Sequence, residues 1–109
     1  MKLQELRDRG GFVDAVPVKK EVTWKRKDGA GVEQSDTFFI HVRRQSFGVI
    51  ERLLSGDDQR SRSAVLISNS VLFGEQADEV MSYEDAYQLD ASLAHVLIRA
   101  VNEVNARKN

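Results

Sequence analysis

The chain has 109 residues, which is the size of one ordinary domain, and we expect a single domain over 1–109. It contains no cysteine, and this excludes disulfides, thiolate metal sites and cysteine nucleophiles. The net charge of −1 gives no general attraction to polyanions, and no apolar run approaches the ~20 residues of a membrane-spanning helix. The first residues lack the apolar stretch of a secretory signal, so we expect a cytoplasmic protein.

The first third of the sequence predicts a short helix and then a β-strand. Leu3 and Leu6 lie three residues apart in a charged segment, which Gly10 and Gly11 are expected to end. Apolar side chains then recur at every second position, which is the period of a half-buried strand. They are Val16, Val18, Val22 and Trp24.

A second strand is expected to pair with the first as a hairpin. Pro17 cannot donate to a strand ladder, so the first strand should start there or lie at an edge. Lys20 interrupts the apolar face of that strand. Residues 27–31 include two glycines, which tolerate the positive φ of tight turns. The second strand is predicted over 37–43, and the hairpin is the clearest structural prediction from the sequence.

Two helices and a short strand are predicted in the middle of the chain. Ser46 is the expected N-cap of a helix that ends at Gly56. The next helix is expected to start near Asp57 or Asp58. Residues 68–70 (Ser-Asn-Ser) are poor interior helix formers, so this second helix should end before them. Its predicted apolar residues are Ala64, Val65 and Ile67, and residues 71–73 (Val-Leu-Phe) are predicted to form a short strand.

The C-terminal part predicts a short helix and then the longest one. Ser82 followed by Asp85 is a weak capping box for a helix over 83–89. Asp90 is the expected cap of a helix over 91–106. With the hairpin, these elements predict an α+β fold, in which an antiparallel β-hairpin packs with several short helices and a longer C-terminal helix.

The last helix carries more apolar surface than a helix on one side of a core requires. At 100° per residue its apolar side chains fill an arc of about 200°, roughly twice the usual stripe. They are Leu93, Ala94, Val96, Leu97, Ile98, Ala100, Val101 and Val104. One interpretation is a helix covered by the core on two sides, and buried apolar residues favour it. The alternative is that one face packs on the hairpin and another binds a partner.

The residues give no pattern of catalysis or metal binding. His41 and His95 stand alone, without the HxH or HExxH spacing of metal ligands. The serines are not in a GxSxG elbow, and no phosphate-binding glycine loop is present. The acidic pairs at 57–58 and 84–85 lie where helix N-termini are predicted, and charge–dipole stabilisation explains them. We therefore expect no enzyme activity, no cofactor and no metal.

Nucleic-acid binding is the alternative function. Basic pairs and triplets lie on the hairpin and just beyond it, at 19–20, 25–27 and 43–44, with Trp24 and Phe39 nearby. Acidic residues dilute this patch, and the last helix is too apolar to be a recognition helix. A small nucleic-acid-binding regulator with a basic hairpin remains the second hypothesis, and binding that weakens with salt would favour it.

Ordered blocks along nearly the whole chain resemble the tail assembly chaperones of long-tailed bacteriophages, of the lambda-like and HK97-like type. The blocks are VPVKKEVTWK (16–25), FIHVRRQSF (39–47), RSRSAVLISNSV (60–71), YEDAYQL (83–89) and VNEVN (101–105). The resemblance implies a non-catalytic protein of the infected host's cytoplasm. It implies binding to the aggregation-prone tape measure protein and recruitment of tail tube subunits, and it leaves self-association open.

The resemblance also implies that apolar surface holds the client protein. Helix-in-groove binding would use such surface. The candidate partner-binding residues are Leu93, Val96, Leu97, Ile98, Val101 and Phe39. Members of this family are typically made in a short form and in a longer form, which a programmed frameshift produces. An A-rich slippery sequence could encode the final Lys108 and Asn109, and the coding DNA near the stop codon decides between this idea and an ordinary tail.

Overall fold

The longest strands of the fold form the predicted hairpin. In a computed structural model that describes residues 1–13, 16–55 and 60–105, strand β1 (Val18–Lys27) pairs antiparallel with β2 (Glu33–Val42). The register runs from Val18 opposite Val42 to Lys27 opposite Glu33. The predicted hairpin is confirmed, although β2 starts before the predicted residue 37. Its first residues are polar and show no apolar alternation, but they pair with the polar end of β1.

The turn between the two strands is built around one carboxylate. Asp28 Oδ1 accepts hydrogen bonds from the backbone N–H groups of Ala30 and Val32, at 2.9 and 3.0 Å. These backbone N–H groups, that of Val32 first, hold the pKa of Asp28 below its ordinary value. Gly31 adopts φ +80°, a conformation that side-chain-bearing residues rarely occupy. Both the Asp28 side chain and the positive φ of Gly31 therefore stabilise the predicted turn.

β1 is an edge strand of the sheet, and it begins directly after Pro17, as predicted. The prediction that Val16 belongs to this half-buried strand was wrong, because Val16 precedes β1 and is 67% exposed. Its odd-numbered side chains are exposed, whereas the even-numbered side chains face the core side of the sheet. These inner side chains are Val18, Lys20, Val22, Trp24 and Arg26. Lys20 does interrupt the apolar face, and its Nζ lies 2.6 Å from Oε2 of Glu103.

Two further strands complete an antiparallel sheet in the order β1-β2-β3-β4. β3 (Val71–Phe73) pairs with β2 and confirms the predicted short strand. β4 (Glu79–Val80) pairs with β3 through a turn in which Gly74 has φ +84°. The sequence did not predict β4, because two residues are too few to show an alternation.

Five helices accompany the sheet in the described residues, and three of them have the same kind of cap. A serine hydroxyl accepts from a backbone N–H at the start of each capped helix, at 3.1 to 3.3 Å. The capping residues are Ser46, Ser61 and Ser82. The helices are α1 (Leu3–Asp8), α2 (Phe47–Leu54), α3 (Arg62–Ser70), α4 (Tyr83–Tyr87) and α5 (Ala91–Asn105).

Helix α3 differs from the prediction at its end. It continues through Ser68, Asn69 and Ser70, which we expected to lie outside it. The side chains of Ser68 and Asn69 donate to the carbonyl oxygen of Val65, at 3.1 and 2.8 Å, so they bond within the helix instead of opposing it. The predicted end was therefore wrong. Its cap is Ser61, and the predicted starts at Asp57 or Asp58 lie outside the described residues.

Other predicted boundaries agree within a few residues. The predicted caps at Ser46 and Ser82 are confirmed, while α4 ends at Tyr87, two residues before the predicted end at 89. Asp90 Oδ2 accepts from the N–H of Ser92 at 3.1 Å, at the start of α5. The predicted stop at Gly56, the last residue of the predicted α5 and the final Lys108 and Asn109 lie outside the described residues.

The hydrophobic core lies between the inner face of the sheet and helices α3 and α5. α5 packs along β1, and the indole Nε1 of Trp24 donates to Oγ of Ser92 at 2.8 Å. The fully or nearly fully buried residues of this cluster include Val22, Ile40, Val42, Val71, Ala64, Ile67, Leu97, Ala100, Val101 and Val104. This arrangement confirms the predicted α+β fold. Among the described helices, none is long and apolar enough to cross a bilayer.

Candidate protein-binding surfaces

The six candidate partner-binding residues do not share one environment. Leu97 and Val101 are 0% and 1% exposed, so both belong to the core and present no surface in this conformation. Leu93, Val96 and Ile98 are half-buried and pack at the margin of the core. The wide apolar arc of α5 is explained largely by the sheet on one side and α3 on another.

Phe39 is the sixth candidate, and it lies on the face of the sheet opposite to the core, which is exposed around Phe39 but covered at Leu72 of β3, a residue only 5% exposed. This open face consists of the outward side chains of β1 to β4. Phe39 is 53% exposed there, and Val80 of β4 is 63% exposed on the same face. The Lys19 ammonium lies 4.5 Å from the centre of the Phe39 ring, where the charge attracts the aromatic quadrupole. The open face therefore offers exposed apolar side chains beside a cation.

A shallow pocket borders Phe39 on the open face. It is lined by Lys19, Phe39, His41 and the turn residues Gly74, Glu75 and Gln76. His41 is half-buried, and within the described residues its Nδ1 atom has no hydrogen-bond partner. The polar and apolar groups at this pocket can accept a protein side chain, and the pocket extends the exposed surface around Phe39.

A groove separates the edge of β1 from helix α5. Its β1 side is formed by the consecutive residues 20–23, and its α5 side by Val96, Arg99, Ala100 and Glu103. The Lys20–Glu103 ion pair crosses one end of this groove. The hydrogen bond from Lys20 and then its charge lower the pKa of Glu103 below the ordinary value of 4.5. The sequence did not reveal this groove, because it arises from the packing of segments that lie far apart in the chain.

Apolar side chains are also exposed around the N-terminal helix. α1 has no buried residue. The Arg7 guanidinium lies 4.4 Å from the centre of the Phe12 ring, which partly covers that ring. The exposed apolar side chains of this segment are Met1, Leu3, Leu6, Phe12, Val13 and Val16. Isolated apolar residues on a surface are common, but this run is a second apolar surface that periodicity alone did not predict.

The basic hairpin is largely occupied by contacts within the chain. The Arg26 guanidinium lies 4.0 Å from the Trp24 ring centre and forms an ion pair with Asp36. Trp24 is half-buried and donates to Ser92, and the Lys19 ammonium lies against one face of the Phe39 ring. Bases stack on freely accessible aromatic faces in single-strand-binding sheets. These contacts therefore do not favour the nucleic-acid hypothesis.

The residues considered for chemistry are separated in the structure. His41 lies in the sheet, whereas His95 is exposed on α5. In the ranges 1–13, 16–55 and 60–105, no three His, Asp or Glu side chains are placed to hold a metal ion. Glu84 and Asp85 lie in the first turn of α4, where the helix dipole favours acidic side chains, and the pair at 57–58 lies outside the described residues.

The comparison with protein-family models matches residues 4–105 to the family described as phage tail assembly chaperone, TAC. Comparisons with curated proteins and with solved structures give no significant match. The family match covers nearly the whole chain and agrees with the resemblance in the ordered sequence blocks. The chain therefore belongs to the phage tail assembly chaperone family.

Proposed function

We propose that this chaperone binds the tape measure protein and helps to recruit tail tube subunits, without catalysis, in the cytoplasm of the infected host. Family membership supports a role in tail assembly. The exposure of Phe39 on the open face is the observation that carries the proposed mode of action. A chaperone of this kind holds its client reversibly, and uncovered apolar side chains supply the attraction.

The free energy for client binding would come from burying apolar surface. Removing a Phe side chain from water contributes about 1.5–3 kcal/mol. Phe39 and Val80 are 53% and 63% exposed on the same sheet face, so binding can bury them without first opening the core. Lys19 beside the ring can pair with an acidic group at the edge of the client. The open face therefore suits an amphipathic client segment.

The test is a pull-down of the tape measure protein with two matched variants. Phe39→Ser removes the aromatic ring from the open face. Phe47→Ser removes an even more exposed ring, 82% exposed, at the start of α2. We expect Phe39→Ser to weaken binding by about tenfold or more, because about 1.4 kcal/mol corresponds to a factor of ten. Phe47→Ser should bind as the unchanged chain does.

The two variants also separate the proposal from a general effect of surface hydrophobicity. Equal losses in both variants, or none in either, would show that the open face is not the client site. Binding of tail tube subunits is measured in the same way, with the tape measure protein present and absent. Recruitment predicts that tube subunits are retained together with the chaperone.

A further inference from the structure

We propose that the free edge of β1 binds an extended acidic segment of a partner protein as an added strand, seated in the groove beside α5. This site lies at the edge of the sheet, and it shares the outward side chains of β1, Lys19 among them, with the open face. The proposal does not depend on binding of the tape measure protein there, and it is tested without that protein.

The first step concerns which backbone groups of β1 are free. The N–H of Asp28 donates to the carbonyl oxygen of Val32 at 2.9 Å. In an antiparallel pair the hydrogen-bonded positions recur at every second residue, so the even-numbered residues of β1 bond to β2. The odd-numbered residues direct their N–H and C=O groups to the other side. Those residues are Lys19, Glu21, Thr23 and Lys25.

The second step concerns the shape beside that edge. Residues 20–23 of β1 form one side of the groove, and the half-buried Val96 of α5 lies opposite, together with Arg99, Glu103 and the buried Ala100. An edge strand next to a helix can take up an extended peptide, because main-chain hydrogen bonds hold it and the helix provides contacts for alternate side chains. An added strand here would direct every second side chain to the α5 side of the groove, where Val96 supplies the apolar surface because Ala100 is only 1% exposed. The position of the partner opposite Val96 should be apolar.

The third step concerns the charge of β1, which determines what kind of strand can pair with its edge. β1 carries five Lys or Arg residues and one acidic residue, Glu21. Lys20 and Arg26 already have acidic partners, whereas Lys19, Lys25 and Lys27 extend from the outer face. Like charges placed directly opposite on paired strands are destabilising. A second copy of β1 is therefore disfavoured, and a strand with acidic side chains on its outer face is favoured.

The same lysines explain why the edge stays unpaired in the free chain. Lysines on an edge strand are a common protection against indiscriminate strand pairing. A segment that alternates acidic and apolar residues can still pair with this edge. Its acidic side chains would lie near Lys19 and Lys25, and its apolar side chains would enter the groove. The structure thus assigns the edge a partner of defined chemistry.

The experiment measures binding of a fluorescent peptide of alternating Glu and Val, blocked at both ends. The matched control peptide alternates Lys and Val. Fluorescence anisotropy should show binding of the Glu–Val peptide and at least tenfold weaker binding of the Lys–Val peptide. Amide hydrogen exchange should slow at Lys19, Glu21, Thr23 and Lys25 in the complex.

Two proline variants test the edge directly. Thr23→Pro removes an outward N–H at the groove, whereas Thr37→Pro changes the opposite residue on β2, whose N–H points away from β1. Both variants lose the contact between the two threonine hydroxyls, at 2.9 Å. We expect at least a tenfold loss of peptide affinity for Thr23→Pro and little change for Thr37→Pro.

A second pair of variants serves if a proline impairs folding. Val96→Glu places an acidic group in the groove, and its repulsion of the acidic peptide should lower the peptide affinity at least tenfold. Ile98→Glu changes another half-buried residue of α5 that does not line the groove, and it should leave the affinity within about twofold.

Four results of the peptide experiments would overturn the proposal. They are absence of Glu–Val peptide binding, equal effects within either pair of variants, exchange protection at other amides, and displacement of the peptide by single-stranded DNA in a salt-dependent way. Dimers that Thr23→Pro dissociates in sedimentation experiments would assign the edge to a second copy, and this would also overturn it.

Discussion

At the scale of single residues, the hairpin turn determines which side chains of β1 and β2 lie on the open face. Asp28 receives backbone hydrogen bonds from Ala30 and Val32, and Gly31 supplies the positive φ that lets the chain reverse. The turn fixes the register of β1 against β2, because a slip by one residue would move every side chain to the other face. The exposure of Phe39 therefore depends on this turn.

The two glycines of the turn predict different costs for the same substitution. Gly31→Ala should lower the free energy of unfolding by about 1 kcal/mol, because alanine is strained at φ +80°. Gly29→Ala should have a smaller effect or none, because its φ is not positive and an added methyl group meets no atom within 4 Å. Urea denaturation measures both variants, and equal destabilisation would contradict the proposed role of Gly31.

At the scale of elements, α5 connects the core to the surfaces. The helix contributes Leu97, Ala100 and Val101 to the core, while Val96 lines the groove and Ile98 lies at the margin. Its N-terminal end is joined to β1 by the Trp24–Ser92 hydrogen bond, and its C-terminal part by the Lys20–Glu103 ion pair. α5 therefore packs against the inner face of the sheet and also forms one side of the groove.

Adjacent residues of α5 should respond differently to truncation. Leu97→Ala should destabilise the domain by about 3 kcal/mol, because it leaves a cavity in a fully buried site. Ile98→Ala should cost about 1 kcal/mol, since this side chain is already half in contact with water. Thermal or urea unfolding distinguishes them. A larger loss of stability for Ile98→Ala than for Leu97→Ala would contradict the assignment of Leu97 to the core. The variant Leu97→Asp is expected to unfold the chain.

Prediction from sequence succeeded where the signal was local. The alternation in β1, the turn residues and the capping serines at 46 and 82 all act within a few positions of the chain, and the structure confirms them. α3 departed from the prediction because the side chains of Ser68 and Asn69 bond to Val65, a choice that propensity alone does not reveal.

The surfaces were harder to predict because long-range packing creates them. β4 exists only through its pairing with β3, and the groove requires α5 to lie beside β1, as in the contact between Trp24 and Ser92, 68 residues apart. Hydrophobic periodicity identified α5 as apolar but did not separate Leu97, which is buried, from Val96, which borders the groove. Phe39 was one of the candidate partner-binding residues, and its side chain is 53% exposed in the structure.

At the scale of the whole molecule, the chain exposes more surface than a compact protein of its mass. Its accessible surface is 7839 Å², whereas a compact monomer of 12.3 kDa exposes about 6100 Å². The molecule is elongated, with dimensions of 59 × 31 × 23 Å. The open sheet face, the β1 edge and the N-terminal apolar segment all contribute to this surface. Such a shape supports the proposal that the protein works by binding other proteins.

The central claim is that this surface keeps the tape measure protein soluble by binding it. The most direct measurement is the soluble fraction of the tape measure protein, expressed in bacteria with and without this chain, followed by purification through a tag on the chain. We expect the tape measure protein to be soluble and to co-purify only when the chain is present. A tape measure protein that is equally soluble alone, or that stays insoluble and never co-purifies with the folded chain, would contradict the account.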